Sequence, residues 1–267
     1  MPRGRAKAEG RKGGNCRVGT SGWTYDSWRG PLYPQALPKS QWLRFYGSQF
    51  ATTEINASFY RTPSLDAVKS WRQQTPADFI FAWKASKFIT HWKRLKANSA
   101  SSIALMQTRL RPLGPKLGIV LFQLPANFRK DSARLNCFLD LLPKRYRYAF
   151  EFRNKDWYAD DIFDILRNRD VALCVSDHAD APAPWITTAR HIYIRAHGPS
   201  GRYRGSYPGA TLKSWAGTIS AWRRQGHDIF VYFDNDQKAA APKDARRLLD
   251  LLSARGTPRA TDGLRAQ

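Results

Sequence analysis

Glutamate is almost absent from this chain: among 267 residues there are three, Glu9, Glu54 and Glu151. Cysteine is as sparse. Cys16, Cys137 and Cys174 lie far apart and form no Cys-x-x-Cys, which excludes a disulfide framework and a zinc knuckle. They sit in apolar segments and read as buried free thiols of a cytoplasmic protein. No apolar run approaches the length that spans a bilayer, and the charged N-terminus lacks the apolar core of a secretory signal. A membrane partner is therefore not expected. The histidines, His91, His178, His191, His197 and His227, show neither His-Glu-x-x-His nor His-x-His. No cofactor is implied. A divalent metal would have to be assembled from Glu54, Glu151, Asp177, His178 and His197, where neighbouring Lys and Arg already neutralise the charge it needs. A phosphate-binding glycine fingerprint is missing too, since Gly19-Thr-Ser-Gly22 does not form one.

Positive charge is what the chain has in excess. Lys and Arg number 44 against 21 Asp and Glu, a formal net charge of +23. That imbalance favours an anionic partner, a small molecule or nucleic acid, although an Arg-rich host would give the same excess as mere surface coating. The charge is spread along the chain. Only Arg3, Arg5, Lys7, Arg11 and Lys12 form a dense run, so residues 1–16 read as a disordered basic arm. Residues 255–267 read as a disordered tail, and 17–254 as a single domain without an interdomain linker. No obligate protein partner is inferred.

Eight short apolar or alternating runs recur: Cys16–Trp23, Thr52–Phe59, Phe79–Ser86, Lys116–Leu124, Tyr148–Arg153, Val171–Asp177, His191–His197 and Asp228–Asp234. Helical patterns lie between most of them, opened at Pro38-Lys-Ser, Thr62-Pro63, Asp131-Ser, Asp160-Asp161, Thr211 and Pro242. Strand alternating with helix predicts parallel βαβ units, and eight of them in this length predict an α/β fold, a single (β/α)8 TIM barrel. An open doubly wound sheet is the alternative. The stretch between His178 and Arg190 carries Pro182 and Pro184 and is too short for a full helix, so the crossover between strands six and seven is expected to lack one.

Barrel sites form at the C-terminal ends of the strands, and polarity collects there. A carboxylate among β-formers is costly to bury unpaired, so Glu54 and Glu151 mark a polar site or two fold-holding ion pairs, such as Glu151 with Arg153. Glu54, Asn56 and Ser58 are spaced for one face, as are Lys84 and Ser86, Glu151 and Arg153, and Arg195 and His197. Gln123, Asp177 with His178, and Asp234-Asn235-Asp236 end other strands. Lys84, Arg153 and Arg195 are expected to bind an anion. Glu54 and Glu151 are the candidate general acid and base, one raised in pKa by apolar walls and one held ionised by Arg. His197 is the candidate proton carrier near neutrality. Asn56, Asp177 and Asn235 complete the polar set. Trp23, Tyr25 and Trp157 are candidate stacking walls, with rim packing as the simpler account. The loop Gly198–Gly209, carrying Tyr203 and Tyr207, is flexible and basic and reads as a lid or a ligand-gripping loop.

These segments resemble the YecE-like family, the domain of unknown function numbered seventy-two. The carriers are Val18-Gly-Thr-Ser-Gly-Trp-Thr-Tyr25, Thr53-Glu-Ile-Asn-Ala-Ser-Phe-Tyr-Arg61, Phe88-Ile-Thr-His91, Leu117-Gly-Ile-Val-Leu-Phe-Gln-Leu-Pro125, Phe150-Glu-Phe-Arg153 with Trp157, Arg195-Ala-His-Gly198 and Tyr232-Phe-Asp-Asn-Asp236. The likeness runs from about Arg17 to Leu252. Ala126, Asn154-Lys-Asp156 and Asp234 depart from the family's usual residues, the last adding a carboxylate at the mouth. The resemblance implies a TIM barrel shaped like those of endonuclease IV and xylose isomerase, and no established activity. Three functions are carried forward: an enzyme acting on a phosphate-bearing or nucleic-acid substrate, with phosphoester or phosphodiester hydrolysis foremost; a nucleic-acid-binding barrel without turnover, marked by steep salt dependence; and a glycoside-type hydrolase using Glu54 and Glu151.

Overall fold

Strand pairing in the computed structural model closes on itself. The structure describes residues 13–254. Its strands are β1 (Cys16–Ser21), β2 (Thr52–Ile55), β3 (Ile80–Lys84), β4 (Leu117–Gln123), β5 (Tyr148–Glu151), β6 (Ala172–Ser176), β7 (His191–Ala196) and β8 (Asp228–Phe233). Each pairs in parallel with the next, and β1 pairs with β8, giving a closed eight-stranded barrel. The helices are α1 (Trp42–Gln49), α2 (Ala57–Tyr60), α3 (Leu65–Gln74), α4 (Ala100–Leu110), α5 (Ser132–Asp140), α6 (Asp160–Asn168), α7 (Gly209–Arg224) and α8 (Ala240–Ala254). No helix spans the β6–β7 crossover, as its prolines dictate.

Two apolar cores follow from the period-two alternation of the strands. Outward residues such as Val18, Phe81, Val120, Phe150 and Ile194 pack under the helices. Inward residues form a separate lumenal plug of Ala82, Ile119, Leu121, Ala149, Ala172, Cys174, Tyr193, Phe230 and Tyr232. The next inward residue on β3, β5 and β7 is Lys84, Glu151 and Arg195, so the charged layer rests directly on the plug.

Several expectations need correction. β2 ends at Ile55 because Ala57–Tyr60 turn helical, with the Ser58 hydroxyl bonded to the Ile55 and Lys84 carbonyls at 2.8 and 2.6 Å. Glu54, Asn56 and Ser58 therefore do not share a strand face. β3 ends at Lys84, so Ser86 is not on its face, and its hydroxyl instead accepts from Phe88 N. The α3 cap is Ser64, which accepts from Ala67 N, rather than Thr62. α4 was not expected, α7 starts at Gly209, ahead of Thr211, and α8 starts before Pro242. Cys137 is exposed on the outer face of α5, where Leu135, Phe138 and Leu139 take the inner one. Residues 14–16 are held in place: Gly14 N bonds to the Arg223 carbonyl, Asn15 bonds to Asp228, and Cys16 opens β1. The rest of the basic arm and the 255–267 tail lie outside the described residues. Among the described residues no helix is long and apolar enough to cross a membrane.

Candidate functional site

Arg195 is the hub of the mouth. Its guanidinium is fully buried and grips Glu54 with two bonds, Nε to Oε2 at 3.0 Å and Nη2 to Oε1 at 2.8 Å. Nη1 donates to Glu151 Oε2 at 2.9 Å, and Nη2 to Asp234 Oδ2 at 2.7 Å. One side chain thus ties β7 to β2, β5 and the end of β8. A planar fork with five donors suits this task, and an ammonium does not. Glu54 also accepts from the Ser21 hydroxyl and from Tyr193 OH at 2.6 Å. Arg153 adds a second guanidinium, with Nε at 2.5 Å from Glu151 Oε1.

These contacts set the state of both glutamates. Burial pushes the Glu54 carboxyl up, but Arg195, Lys84 and two hydroxyl donors outweigh it and hold it below its ordinary value. Burial acts on Glu151 in the same sense, and Arg153 and Arg195 hold it well below. Both are ionised carboxylates clamped by arginine, so the expected split into one raised and one lowered acid is not found.

His197, also fully buried, has its ring placed by the same arginines. Nε2 lies 3.1 Å from both Arg195 Nη1 and Arg153 Nη2, and Nδ1 lies 3.2 Å from Asp177 Oδ1. Guanidinium N–H groups only donate, so Nε2 is the acceptor and Nδ1 carries hydrogen toward Asp177. Asp177 also takes the His197 backbone N–H at 2.7 Å and the Tyr207 hydroxyl.

The loop after β7 is fastened over this cluster. Tyr203 OH accepts from Arg153 Nη1 at 2.9 Å, and its ring stands edge-on to His197. Gly198 adopts φ +94, and a Cβ there would lie 2.3 Å from the Arg204 carbonyl oxygen. Buried Asp244 secures the far side by accepting from Tyr207 N, Ser206 Oγ and Asn235 Nδ2. Asn235 and Tyr207 therefore anchor the loop, and only Tyr203 reaches the cluster's open side.

The expected aromatic walls are mostly packing groups. Trp157 is fully buried, stacked on Phe152 at 4.9 Å with its indole N–H on the Phe128 carbonyl. Trp23 packs edge-on to Trp71 and Phe81. Tyr25 does reach the mouth, where its hydroxyl donates to the Ser21 carbonyl at 2.7 Å. Asn56, which precedes α2, keeps its Oδ1 buried with no hydrogen-bond partner among the described residues.

Lys84 stands apart. Its side chain is 4% exposed, and among the described residues no hydrogen bond or ion pair reaches its Nζ, which lies 4.4 Å from the centre of the Phe59 ring. Burial first, then the Arg195 charge, lowers its pKa to about 8, against the opposing pull of Glu54, Asp234 and Glu151.

His91 belongs to a segment that carries the family resemblance, Phe88-Ile-Thr-His91, but nothing in the sequence marks it for a site role; it lies in the helical turn Phe88–Trp92. It is half-buried, with Nδ1 2.8 Å from the Thr90 hydroxyl. Burial and the charges of Lys84, Arg153, Lys87 and Arg94 lower its pKa to about 4. The charged groups that move it most are all cations. On the opposite side Tyr25 feels Asp234, Asp236 and Glu54, which with burial push its hydroxyl far up. Charges of opposite sign thus act on the two groups, cations on His91 and carboxylates on Tyr25. Trp92 and Tyr60, 69% and 65% exposed, stand at the cationic rim as the aromatic faces that sequence reading missed. The wide groove of about 970 Å³ formed by Arg72, Thr75, Pro112 and Lys116 opens at the other end of the barrel, away from these charges.

Among the described residues no group of three or more His, Cys, Asp and Glu side chains is placed to hold a metal ion. The oxygens of Glu54 and Glu151 already have arginine or hydroxyl donors.

Comparison with known proteins gives kinship rather than chemistry. The family profile described as "Protein of unknown function DUF72" matches residues 17–265. The UPF0759 protein YunF of Bacillus subtilis is 25% identical over 88% of this chain and 94% of its own length. The UPF0759 protein YecE of Escherichia coli is 34% identical over a shorter stretch, 44% of this chain and 43% of its own. The crystal structure of a DUF72 family protein from Thermotoga maritima superposes with a TM-score of 0.81 at 28% identity, covering 90% of this chain and 99% of that one.

Proposed function

This chain belongs to the DUF72 family, and we propose that it is an enzyme acting on a phosphate-bearing substrate. The cationic surroundings of His91 carry the reading. Around His91 the cations Lys84, Lys87 and Arg94 have no ion pair among the described residues, whereas Arg153 is paired with Glu151 and Arg195 with three carboxylates. A potential of that sign around a half-buried histidine is relieved by an anion. Arg153 keeps Nη1 on the Tyr203 hydroxyl, the group an incoming phosphate oxygen would replace. Arg195, bonded to three carboxylates, positions Glu54 and Glu151 instead of contacting the substrate. The remainder of the substrate then lies toward Asp234 and Asp236, with Lys84 and the His197–Asp177 pair between the two halves as proton-carrying groups. Hydrolysis of a phosphoester or phosphodiester fits this arrangement, and the rim aromatics Trp92 and Tyr60 would stack on a flat group carried by the substrate.

The test is titration with inorganic phosphate and pyrophosphate, followed by calorimetry and by the His91 ring signals in NMR. Binding should raise the His91 pKa from about 4, because a bound anion offsets the four cations. Arg153→Gln should weaken binding roughly tenfold, the loss of one charge-assisted contact. Absence of binding at millimolar phosphate, or binding that leaves His91 unmoved, refutes the proposal.

A further inference from the structure

We propose that Lys84 is a nucleophile that forms a Schiff base with a carbonyl group of the substrate, so that the substrate class is a phosphorylated aldehyde or ketone. The inference rests on the phosphate reading above and deepens it. The starting observation is an amine that, among the described residues, has no hydrogen bond or ion pair and lies over the Phe59 ring at 4.4 Å. A buried ammonium is costly unless paired, yet each carboxylate whose charge acts on it is bound by arginine: Glu54 and Asp234 by Arg195, and Glu151 by Arg195 and Arg153. The charges acting on Nζ are those of these three carboxylates and of the Arg195 guanidinium. A lysine that only held the fold would claim one of the carboxylates, as Lys116 claims the Arg72 and Thr75 carbonyls at 2.6 and 2.8 Å at the other end of the barrel.

Desolvation and a neighbouring guanidinium are the two means by which a lysine is made a free amine near neutrality. Both act here and bring its pKa to about 8. At neutral pH its free-amine fraction is then roughly a hundredfold that of an ordinary lysine. The position also suits attack: Lys84 ends β3 on the lumenal face, directly above the apolar plug.

The step balances. The Nζ lone pair forms a C–N bond to the carbonyl carbon while the C=O π pair moves onto oxygen, which takes a proton to give the carbinolamine. The C–O bond then breaks, and the oxygen leaves as water after a further protonation. Nζ gives up one proton between the two stages, so forming the cationic Schiff base consumes one proton and releases one water.

The experiment uses the full chain with sodium cyanoborohydride, which reduces the Schiff base to a stable secondary amine. Glycolaldehyde phosphate and unphosphorylated glycolaldehyde are supplied separately at pH 7.5, and labelled lysines are mapped by peptide mass. Lys84 should gain the mass of the aldehyde less one oxygen at least tenfold faster than any other lysine, and faster with the phosphorylated probe. Labelling of Lys84 no faster than that of surface lysines, with both probes, overturns the proposal. If inorganic phosphate still binds in that case, the phosphate reading stands and only the Schiff base falls. Selective labelling at equal rates with both probes, unaffected by added phosphate, establishes the nucleophile and removes the phosphate seat. An oligonucleotide carrying one ring-opened abasic site supplies the same aldehyde and phosphate chemistry within a polymer. Its trapping in preference to glycolaldehyde phosphate assigns the substrate to nucleic acid, and the reverse preference to free metabolites. Both results uphold Lys84.

Discussion

Replacing Arg195 with methionine takes away the side chain that bridges Glu54, Glu151 and Asp234. Methionine matches its length and apolar stem, so the loss is mainly of charge and donors. Glu54 and Glu151 are fully buried and Asp234 is 7% exposed. Glu54 would keep the Ser21 and Tyr193 hydroxyls, and Glu151 would keep Arg153. Asp234 would lose its guanidinium. Removing one partner of a buried ion pair costs about 3–5 kcal/mol because the other charge is stranded. For a chain of this size that is a fall in Tm of roughly 6–20 °C. The pH dependence gives the sharper check. In the wild type both glutamates are held below their ordinary pKa, so their contribution is present above the unfolded value, about 4.3, and is lost as pH falls through the folded values. In Arg195→Met burial is no longer outweighed, the folded pKa of Glu54 moves above its unfolded value, and the sign reverses: the folded state takes up a proton. The stability deficit should therefore be largest near pH 8 and shrink toward pH 5. Thermal melts of both proteins at the two pH values measure it. A Tm within about 2 °C of wild type, or a deficit that does not shrink on acidification, refutes the reasoning. Arg195→Lys should recover little, since an ammonium cannot reproduce the bidentate grip.

Lys84 titrates the other way. Its folded pKa of about 8 lies below its unfolded value of about 10.4, so stability should rise by up to about 3 kcal/mol between pH 8 and 10. Lys84→Met should gain stability at pH 7 and lose that rise, and urea melts showing the same pH slope in both proteins would contradict the shift. Trp157→Ala should cost about 3–5 kcal/mol by leaving a cavity under the β5 loop, measured by thermal melt; a neutral result would mean that the indole is a ligand surface after all. Gly198→Ala forces a side chain into φ +94 and against the Arg204 carbonyl, so limited proteolysis should cut the 198–208 loop faster than in wild type. Unchanged cleavage would show that the loop relaxes without cost.

The barrel was legible because its signal is local. Period-two alternation placed Glu151 with Arg153 and Arg195 with His197 on single faces, and the Pro182–Pro184 segment announced a crossover without a helix. Local signals also misled where they were ambiguous. Ala57–Tyr60 is aromatic enough to extend a strand, and one of the bonds that hold it in a turn, from the Ser58 hydroxyl to the Lys84 carbonyl, crosses 26 residues. α4 buries only Ile103, Met106 and Leu110 among serines and threonines, a thin stripe to read. The state of the glutamates was not legible at all. It depends on where the Arg195 fork points, and its bonds to Glu54 cross 141 residues. His91 stayed hidden because its character comes from burial and from the joint charge of Lys84, Lys87, Arg94 and Arg153, the last of which stands after β5.

The pairing of β1 with β8 has a consequence for how the chain is made. Cys16 lies opposite Ile229 and Thr20 opposite Phe233, partners separated by 213 positions. At roughly 5–20 residues per second, the first strand leaves the ribosome some 10–40 s before the last can meet it. Throughout that interval β1 has one edge without a neighbour, and Glu54 waits for an arginine that has not yet been synthesised. The ring cannot close early, and the ionic cluster cannot assemble before closure. Newborn chains therefore pass through an open sheet with an unpaired edge and an unneutralised acid, the state in which a folding helper would find the most to hold.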